Sequence, residues 1–96
     1  MLLTEIIIPF SNQELREIEN IAYQLKNIKS VEEFSNAAKI YSKAPTADFG
    51  GRIKWQSFNK LPEIIKPFIF NLSPGEVTEP IRLNTAIALF QLRDIR

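Results

Sequence analysis

The sequence predicts an α+β fold in which two helices and one short helix pack around a mostly antiparallel four-stranded sheet. Apolar residues recur at helical spacing between residues 15 and 41, apolar runs of strand length stand near both ends of the chain, and turn signals separate these segments. The predicted order is strand, helix, helix, strand, short helix, strand, strand. With 96 residues, 45% of them hydrophobic and 24% charged, the chain has the size and composition of a single globular domain.

The first strand is predicted at Leu3–Ile8, an aliphatic run closed off by Pro9. Ser11 and Glu14 then form a capping-box pattern, in which the serine hydroxyl accepts from the amide three residues on and the glutamate reaches back to the serine amide. We therefore expect the first helix to start there. Apolar residues follow at steps of three and four as far as Ile28, which predicts one buried stripe.

A second capping box, Ser30 with Glu33, predicts a helix over residues 31–41 with an apolar face of mixed large and small residues. Residues 42–51 have the composition of a loop and end in two adjacent glycines. Glycine pairs allow positive φ or a close approach of another backbone. A short strand at Arg52–Trp55 is expected to follow this loop.

The sequence from Pro62 to Leu72 predicts an interrupted helix. Pro62 suits the first turn of a helix, and apolar residues recur at helical spacing as far as Leu72. Pro67 lacks an amide hydrogen and its ring presses on the carbonyl of Glu63. We therefore expect a break or a fresh start near Lys66.

A tight turn and a hairpin complete the chain. Residues 73–76 read Ser-Pro-Gly-Glu, and proline in the second place with glycine in the third is typical of a type II turn. Strands are predicted at Pro80–Leu83 and Ala86–Ile95, joined around Asn84-Thr85. The last strand has apolar residues on both of its faces, which predicts a central position in the sheet.

Composition excludes several classes of function. Twelve Lys and Arg against eleven Asp and Glu give a net charge of +1, and the basic residues are scattered, so no nucleic-acid-binding stripe is predicted. The chain has no cysteine and no histidine, which argues against disulfides, thiol chemistry, nucleophilic catalysis and a metal site. No cofactor is expected. No apolar stretch reaches the roughly 18 to 20 residues of a membrane span, so membrane insertion is not expected.

One series of motifs runs from the second predicted helix to the final hairpin. Its members are Phe34 to Tyr41 followed by Ser42, Gly50-Gly51, Trp55, Leu61-Pro62, Phe70, Leu72 to Val77 and Pro80-Ile81. Each is common by itself, but their order and spacing resemble the parvulin family of peptidyl-prolyl cis-trans isomerases. The resemblance covers essentially the whole chain and implies the parvulin-like, or FKBP-like, fold.

The long first helix, the near-neutral charge and the alanine-rich second helix are most similar to the parvulin modules of SurA-type periplasmic chaperones. This resemblance implies a periplasmic location and a domain, residues 1–96, excised from a longer chain. The implied partners are unfolded or extended polypeptide segments, outer-membrane protein clients among them, and the rest of the parent chaperone chain.

The resemblance also implies where a site would lie. In active parvulins two histidines and a loop cysteine or aspartate surround the prolyl bond, and their positions correspond to Glu5, Ala88 and Ala44. Hydroxyl positions on the final hairpin correspond to Thr85, which is retained, and to Leu83. The implied apolar wall for the proline ring comprises Ile53, Leu61, Ile65 and Phe70. The plainer alternative is that the wall residues are ordinary core and that Glu5 is a solvent-facing strand residue.

Catalysis is expected to be weak or absent. Rotation about a prolyl amide meets a barrier of about 18–20 kcal/mol because twisting destroys the amide resonance. A pocket that binds planar and twisted amides equally well does not accelerate the rotation. Ala44 and Ala88 have no side-chain donors or acceptors, and an ionised Glu5 would repel the carbonyl oxygen. The sequence thus predicts a peptide-binding parvulin-like module with little turnover. An active isomerase and a ligand-free spacer or dimerisation domain remain as alternatives.

Overall fold

A computed structural model describes residues 1–94 of the chain. Its strands are β1 (Leu2–Pro9), β2 (Ile81–Arg82) and β3 (Ala86–Asp94). Its α-helices are α1 (Leu15–Leu25), α2 (Val31–Tyr41) and α3 (Lys66–Ile69), and short 3₁₀ helices lie at Pro45–Phe49 and Phe58–Lys60. The last predicted strand residue, Ile95, lies outside the described residues.

The strands form an antiparallel sheet in the order β1-β3-β2. The central position predicted for the last strand is confirmed. In the register of the sheet, Glu5 lies opposite Phe90, and Ala88 lies between Ile7 on β1 and Ile81 on β2. Because side chains alternate between the faces of a sheet, these residues share one face.

The prediction of a four-stranded sheet is wrong: residues 1–94 form three strands. The segment predicted as a strand at Arg52–Trp55 does run beside β1, but it makes only one bridge, between Thr4 and Arg52. The hydrogen bonds that join this part of the chain to β1 and to Met1 before it come at residues 51, 53 and 56. The last interval of three residues breaks the two-residue repeat of an antiparallel ladder, so the segment remains an irregular edge.

The sheet separates two apolar clusters. We call the face that packs against α1 and α2 the helix-covered face; its buried residues are Ile6, Ile8, Ala22, Leu25, Phe34, Ala37, Ala38, Ile87 and Leu89. We call the opposite face the cavity face; its buried residues are Leu3, Leu61, Ile69, Ile81, Ala88, Phe90 and Leu92. The second cluster is covered by α3 and by irregular chain before and after it, including Ile53, Leu72 and Leu83.

The helix starts follow local signals to different degrees. Ser30 caps α2 as predicted, since its hydroxyl accepts from the Glu33 amide at 3.2 Å. At α1 only half of the capping box forms. Glu14 accepts from the Ser11 amide at 3.1 Å, but its own amide donates to the Ser11 carbonyl. Residues 12–14 form a turn, and α1 begins at Leu15.

The two proline-containing segments behave as predicted. The chain turns at Pro62, whose carbonyl accepts from the Ile65 and Lys66 amides, and α3 starts afresh at Lys66. In the Ser-Pro-Gly-Glu turn, Gly75 has a φ of 91° and the Glu76 amide donates to the Ser73 carbonyl at 2.9 Å. Both features are those of a type II turn.

Candidate functional site

A cavity of about 300 Å³ opens on the cavity face of the sheet. It draws residues from both long strands and from the irregular chain between α2 and α3. Its lining residues are Leu3, Glu5, Ile53, Gln56, Leu61, Pro62, Ile65 and Phe90. The lining is therefore mainly apolar, with one carboxylate and one amide.

The floor of the cavity comes from β1 and β3. Leu3 and Glu5 are two residues apart on β1 and point to the same face, and Phe90 lies opposite Glu5 on β3. Leu3 and Phe90 are buried, while Glu5 is half-buried. The hydrogen-bonded pairing of β1 and β3 thus fixes the positions of these three residues.

One wall is the irregular edge beside β1. The Glu5 amide donates to the Gly51 carbonyl at 2.8 Å, and the Ile53 amide donates to the Leu3 carbonyl at 3.0 Å. Further along, the Gln56 amide donates to the Met1 carbonyl at 3.0 Å. These bonds place Ile53 and Gln56 at the cavity.

The opposite wall comes from the turn that leads into α3. Leu61 is 7% exposed and anchors this turn in the core, while Pro62 is exposed and Ile65 half-buried. Because Pro62 and Ile65 are joined by a hydrogen bond of 3.0 Å between the carbonyl and the amide, the wall is a single compact turn.

The Glu5 carboxylate is held by the loop that follows α2. The Thr46 hydroxyl donates to Glu5 Oε2 at 2.7 Å. Thr46 belongs to the 3₁₀ helix at Pro45–Phe49, and its carbonyl accepts from the Gly51 amide at 2.9 Å. The loop and β1 are therefore connected at the cavity by both backbone and side-chain bonds.

Four of the residues singled out from the sequence come together in the cavity lining: Glu5, Ile53, Leu61 and Ile65. Three others lie outside it. Phe70 is 73% exposed, and its ring packs edge-on against Phe58 with centroids 6.0 Å apart. Leu83 packs at the border of the cavity-face cluster, and Thr85 is exposed in the hairpin turn.

The remaining two positions, Ala44 and Ala88, are both connected to Ile7 of β1. Ala88 is 2% exposed and pairs with Ile7. The Ala44 amide donates to Ser42 Oγ, which also accepts from the Ile7 amide. The positions that correspond to Glu5, Ala44 and Ala88 in the family thus converge on β1, although only Glu5 lines the cavity.

Sequence reasoning missed several contributors to the site. Leu3, Gln56, Pro62 and Phe90 were not assigned to the lining, and Thr46 was not paired with Glu5. Alternation along the two long strands could have identified Leu3 and Phe90. Gln56 and Thr46 lie in irregular chain, where no periodic signal reveals the direction of a side chain.

A second charged group, Arg93, lies close to the irregular edge. Its Nη2 donates to the Ile53 carbonyl at 3.3 Å and to the Leu3 carbonyl at 3.5 Å, and its Nε is buried without a partner in residues 1–94. Burial lowers the pKa of the Arg93 guanidinium, and the nearby Arg52 cation lowers this pKa further. The Arg93 guanidinium thus binds the backbone of Leu3 in the floor and of Ile53 in the wall.

The arrangement is suited to binding rather than to group-transfer chemistry. A mainly apolar cavity with few polar groups holds an apolar side chain and fixes its orientation.

Among residues 1–94 no three His, Cys, Asp or Glu residues are grouped to hold a metal ion. None of the helices in that part of the chain is long and apolar enough to cross a membrane.

Comparison with known proteins gives a consistent family. The model of the rotamase family, described as the PPIC-type PPIASE domain, matches residues 5–94. The chaperone SurA of Aromatoleum aromaticum is 32% identical over 71 residues, which cover 74% of this chain and 16% of that protein. The chain therefore spans about a sixth of the length of this curated relative.

Two solved structures extend the comparison to the fold. A crystal structure of a PpiC-type peptidyl-prolyl cis-trans isomerase domain superposes with a TM-score of 0.76 at 25% identity, covering 99% of this chain and 89% of that one. A structure from work on two SurA-like chaperones of Campylobacter jejuni, one described as periplasmic, gives a TM-score of 0.69 at 21% identity, covering 97% of this chain and 38% of that one.

Proposed function

Because this chain belongs to the PPIC-type, or parvulin, family of peptidyl-prolyl isomerase domains, we propose that it binds extended or proline-containing segments of unfolded proteins with weak or no isomerase turnover. The observation that carries the proposal is the cavity of about 300 Å³ between Glu5, Ile53 and Ile65. Its apolar walls are suited to a proline ring or an aliphatic side chain.

The proposal of weak turnover depends on three positions. Catalysis requires groups that stabilise the twisted amide more than the planar one. Ala44 and Ala88 offer only backbone groups there. Glu5 accepts hydrogen bonds, and as a carboxylate it repels the oxygen of a nearby prolyl carbonyl. The cavity therefore favours affinity over acceleration.

We further propose that the domain acts within a longer SurA-type chaperone or foldase of the periplasm. The SurA relative is about six times the length of the matched region, and one of the similar structures carries a periplasmic description. The partners would then be unfolded polypeptides, outer-membrane protein clients among them, and the rest of the parent chaperone chain. Leu83, Thr85 and Phe70 would contact the client beyond the cavity.

Binding is tested by titrating the chain with acetyl-Ala-Ala-Pro-Ala-amide and following backbone amides by NMR. We expect shifts at Glu5, Ile53 and Phe90, and an affinity that falls about tenfold in Ile65→Ala because an apolar wall is lost. Ile64→Ala is the matched control, since Ile64 is 57% exposed and lies outside the lining. Absence of shifts at millimolar peptide would reject binding and favour the spacer or dimerisation alternative, which sedimentation would then test.

Turnover is tested separately by exchange NMR on the same peptide. The expected result is a cis-trans rate equal to the uncatalysed rate, because nothing in the cavity favours the twisted amide. A strongly accelerated rate would instead establish the active isomerase alternative. If the unmodified chain does accelerate the rotation, a Glu5→Gln variant tests the carboxylate. A lower rate in this variant would contradict the proposal that the carboxylate repels the carbonyl oxygen.

A further inference from the structure

The Glu5 carboxylate is bound on one side only. Thr46 donates to Oε2, whereas Oε1 has no hydrogen-bond donor within residues 1–94. Neither oxygen contacts a lysine or arginine of that range, whose ion pairs include Lys26–Glu79 and Lys66–Glu63. A mainly apolar cavity therefore contains an anion that no cation of the described chain neutralises by direct contact.

Two cations of the irregular edge, Arg93 and Arg52, make no ion pair with Glu5 within residues 1–94. The Arg93 guanidinium binds the carbonyls of Leu3 and Ile53. Arg52 follows Gly51 in the chain; it is exposed and pairs with no carboxylate of residues 1–94. The charge of Glu5 is thus available to a cation that enters the cavity from outside.

The carboxylate is also fixed in position. The Glu5 amide donates to the Gly51 carbonyl at 2.8 Å. Strand β1, which contains Glu5, is paired with β3 along the whole length of β1. The Thr46 hydroxyl restrains the side chain, and Thr46 is tied to the same edge through the Gly51 amide. A group that is already ordered loses less entropy on binding than a mobile surface carboxylate does.

We propose that Glu5 is a specificity-determining residue, selecting client segments that carry an arginine or lysine next to the apolar residue in the cavity. This inference rests on the proposed function, since it assumes that a peptide occupies the cavity. The free Oε1 accepts a charge-assisted hydrogen bond from the client cation, while Ile53 and Ile65 contact the apolar residue. A client glutamate at the same place is repelled.

The surroundings of Glu5 make this selection measurable. Exposed ion pairs contribute little because water and salt screen them. Glu5 is half-buried beside Leu3 and Phe90, and a peptide in the cavity excludes further water from it, which strengthens the interaction. We expect about a tenfold preference for a cationic over a neutral neighbour, in keeping with hydrogen bonds to charged groups.

The experiment uses the full 96-residue chain and three matched peptides, acetyl-Ala-Xaa-Pro-Ala-amide with arginine, norleucine or glutamate at Xaa. A second set places Xaa after the proline. NMR titrations at low and high salt measure each dissociation constant. The arginine peptide of at least one set should bind about tenfold more tightly than its norleucine counterpart, the glutamate peptide should bind most weakly, and salt should reduce the differences.

Two variants separate a local from a general charge effect. Glu5→Gln removes the charge at nearly constant shape and should make the arginine and norleucine affinities equal. Glu32→Gln changes the net charge equally, but Glu32 is an exposed residue in the first turn of α2, so the preference should persist there. If Glu5→Gln fails to fold, the peptide series on the unmodified chain still measures the preference for arginine over norleucine and glutamate.

The possible failures are distinguishable. If norleucine and arginine peptides bind in the cavity with equal affinity, or if Glu5→Gln keeps the preference, the selection by Glu5 is wrong and the proposed peptide binding stands. If no peptide of either set shifts the amides of the cavity, both proposals are overturned.

Discussion

The helix-covered face and the cavity face of the sheet are built on the same strands, but they are closed to different extents. Ile6, Phe34 and Leu89 on the helix-covered face have no exposed surface. On the cavity face, Ala88 and Leu92 are equally well buried, but the apolar surface continues into an open cavity.

The difference lies in the elements that cover each face. α1 and α2 have eleven residues each and present continuous apolar stripes to the sheet. α3 has four residues, and the chain that leads into it is irregular. A helix of one turn cannot seal a face that two helices of three turns can seal. The cavity therefore lies on the face of the sheet that the shortest helix, α3, covers.

The largest expected effect is on the helix-covered face. Phe34→Ala removes a wholly buried ring and should lower the free energy of unfolding by about 4 kcal/mol, through lost burial and a residual void. Urea unfolding measures the loss. Peptide affinity per folded molecule should stay unchanged. A changed affinity per folded molecule would contradict the separation of the two faces.

At the border between the faces, Gly51 should tolerate no side chain. Its φ is 75°, and a Cβ would collide with the Glu5 carbonyl oxygen, so Gly51→Ala should cost about 3 kcal/mol. Gly50→Ala is the control. Gly50 has a similar φ of 72°, but its Cβ would meet mainly the Ser35 hydroxyl, which can rotate at the cost of its hydrogen bond to the Gly50 carbonyl. Thermal unfolding should rank Gly51→Ala clearly below Gly50→Ala; equal losses would mean that φ alone matters.

On the cavity face, Leu61→Ala should affect both stability and binding. Leu61 is 7% exposed and also lines the cavity, so we expect a loss of about 2 kcal/mol in unfolding free energy. Weaker peptide binding should accompany it, in contrast to Phe34→Ala. Parallel urea and NMR titrations give both values. Unchanged peptide affinity would show that the client binds elsewhere.

The smallest expected effect concerns the Thr46–Glu5 hydrogen bond. Thr46→Val should reduce the unfolding free energy by about 1 kcal/mol, and a double-mutant cycle with Glu5→Gln should show coupling between the two side chains. Thr85→Val is the control, because Thr85 is exposed and its hydroxyl makes no hydrogen bond within residues 1–94. Additive effects of Thr46→Val and Glu5→Gln would mean that the bond contributes nothing.

The regular elements could be predicted because local rules determine them. Ser30 and Glu33 identify the start of α2, Pro67 explains why α3 starts afresh, and Gly75 supplies the positive φ of the type II turn. The sequence could not show that Arg52–Trp55 forms no regular strand. That outcome depends on the spacing of the hydrogen bonds to β1 rather than on residue type.

The site could be predicted only in part for a similar reason. Ile53, Leu61 and Ile65 followed from the family pattern, and they do line the cavity. Phe70 does not, because α3 buries Ile69 and ends there, which leaves the next side chain in solvent. The Thr46–Glu5 bond joins residues 41 positions apart, a tertiary contact that no local pattern encodes.

The irregular edge beside β1 has a consequence for how the molecule meets other chains. The Leu3 carbonyl, the Glu5 amide and both backbone groups of Ile7 are already bonded to residues 42–53. The opposite border of the sheet is the two-residue strand β2. Neither rim presents a long row of free amides and carbonyls to an extended polypeptide. A foreign strand therefore has little template on which to continue the sheet.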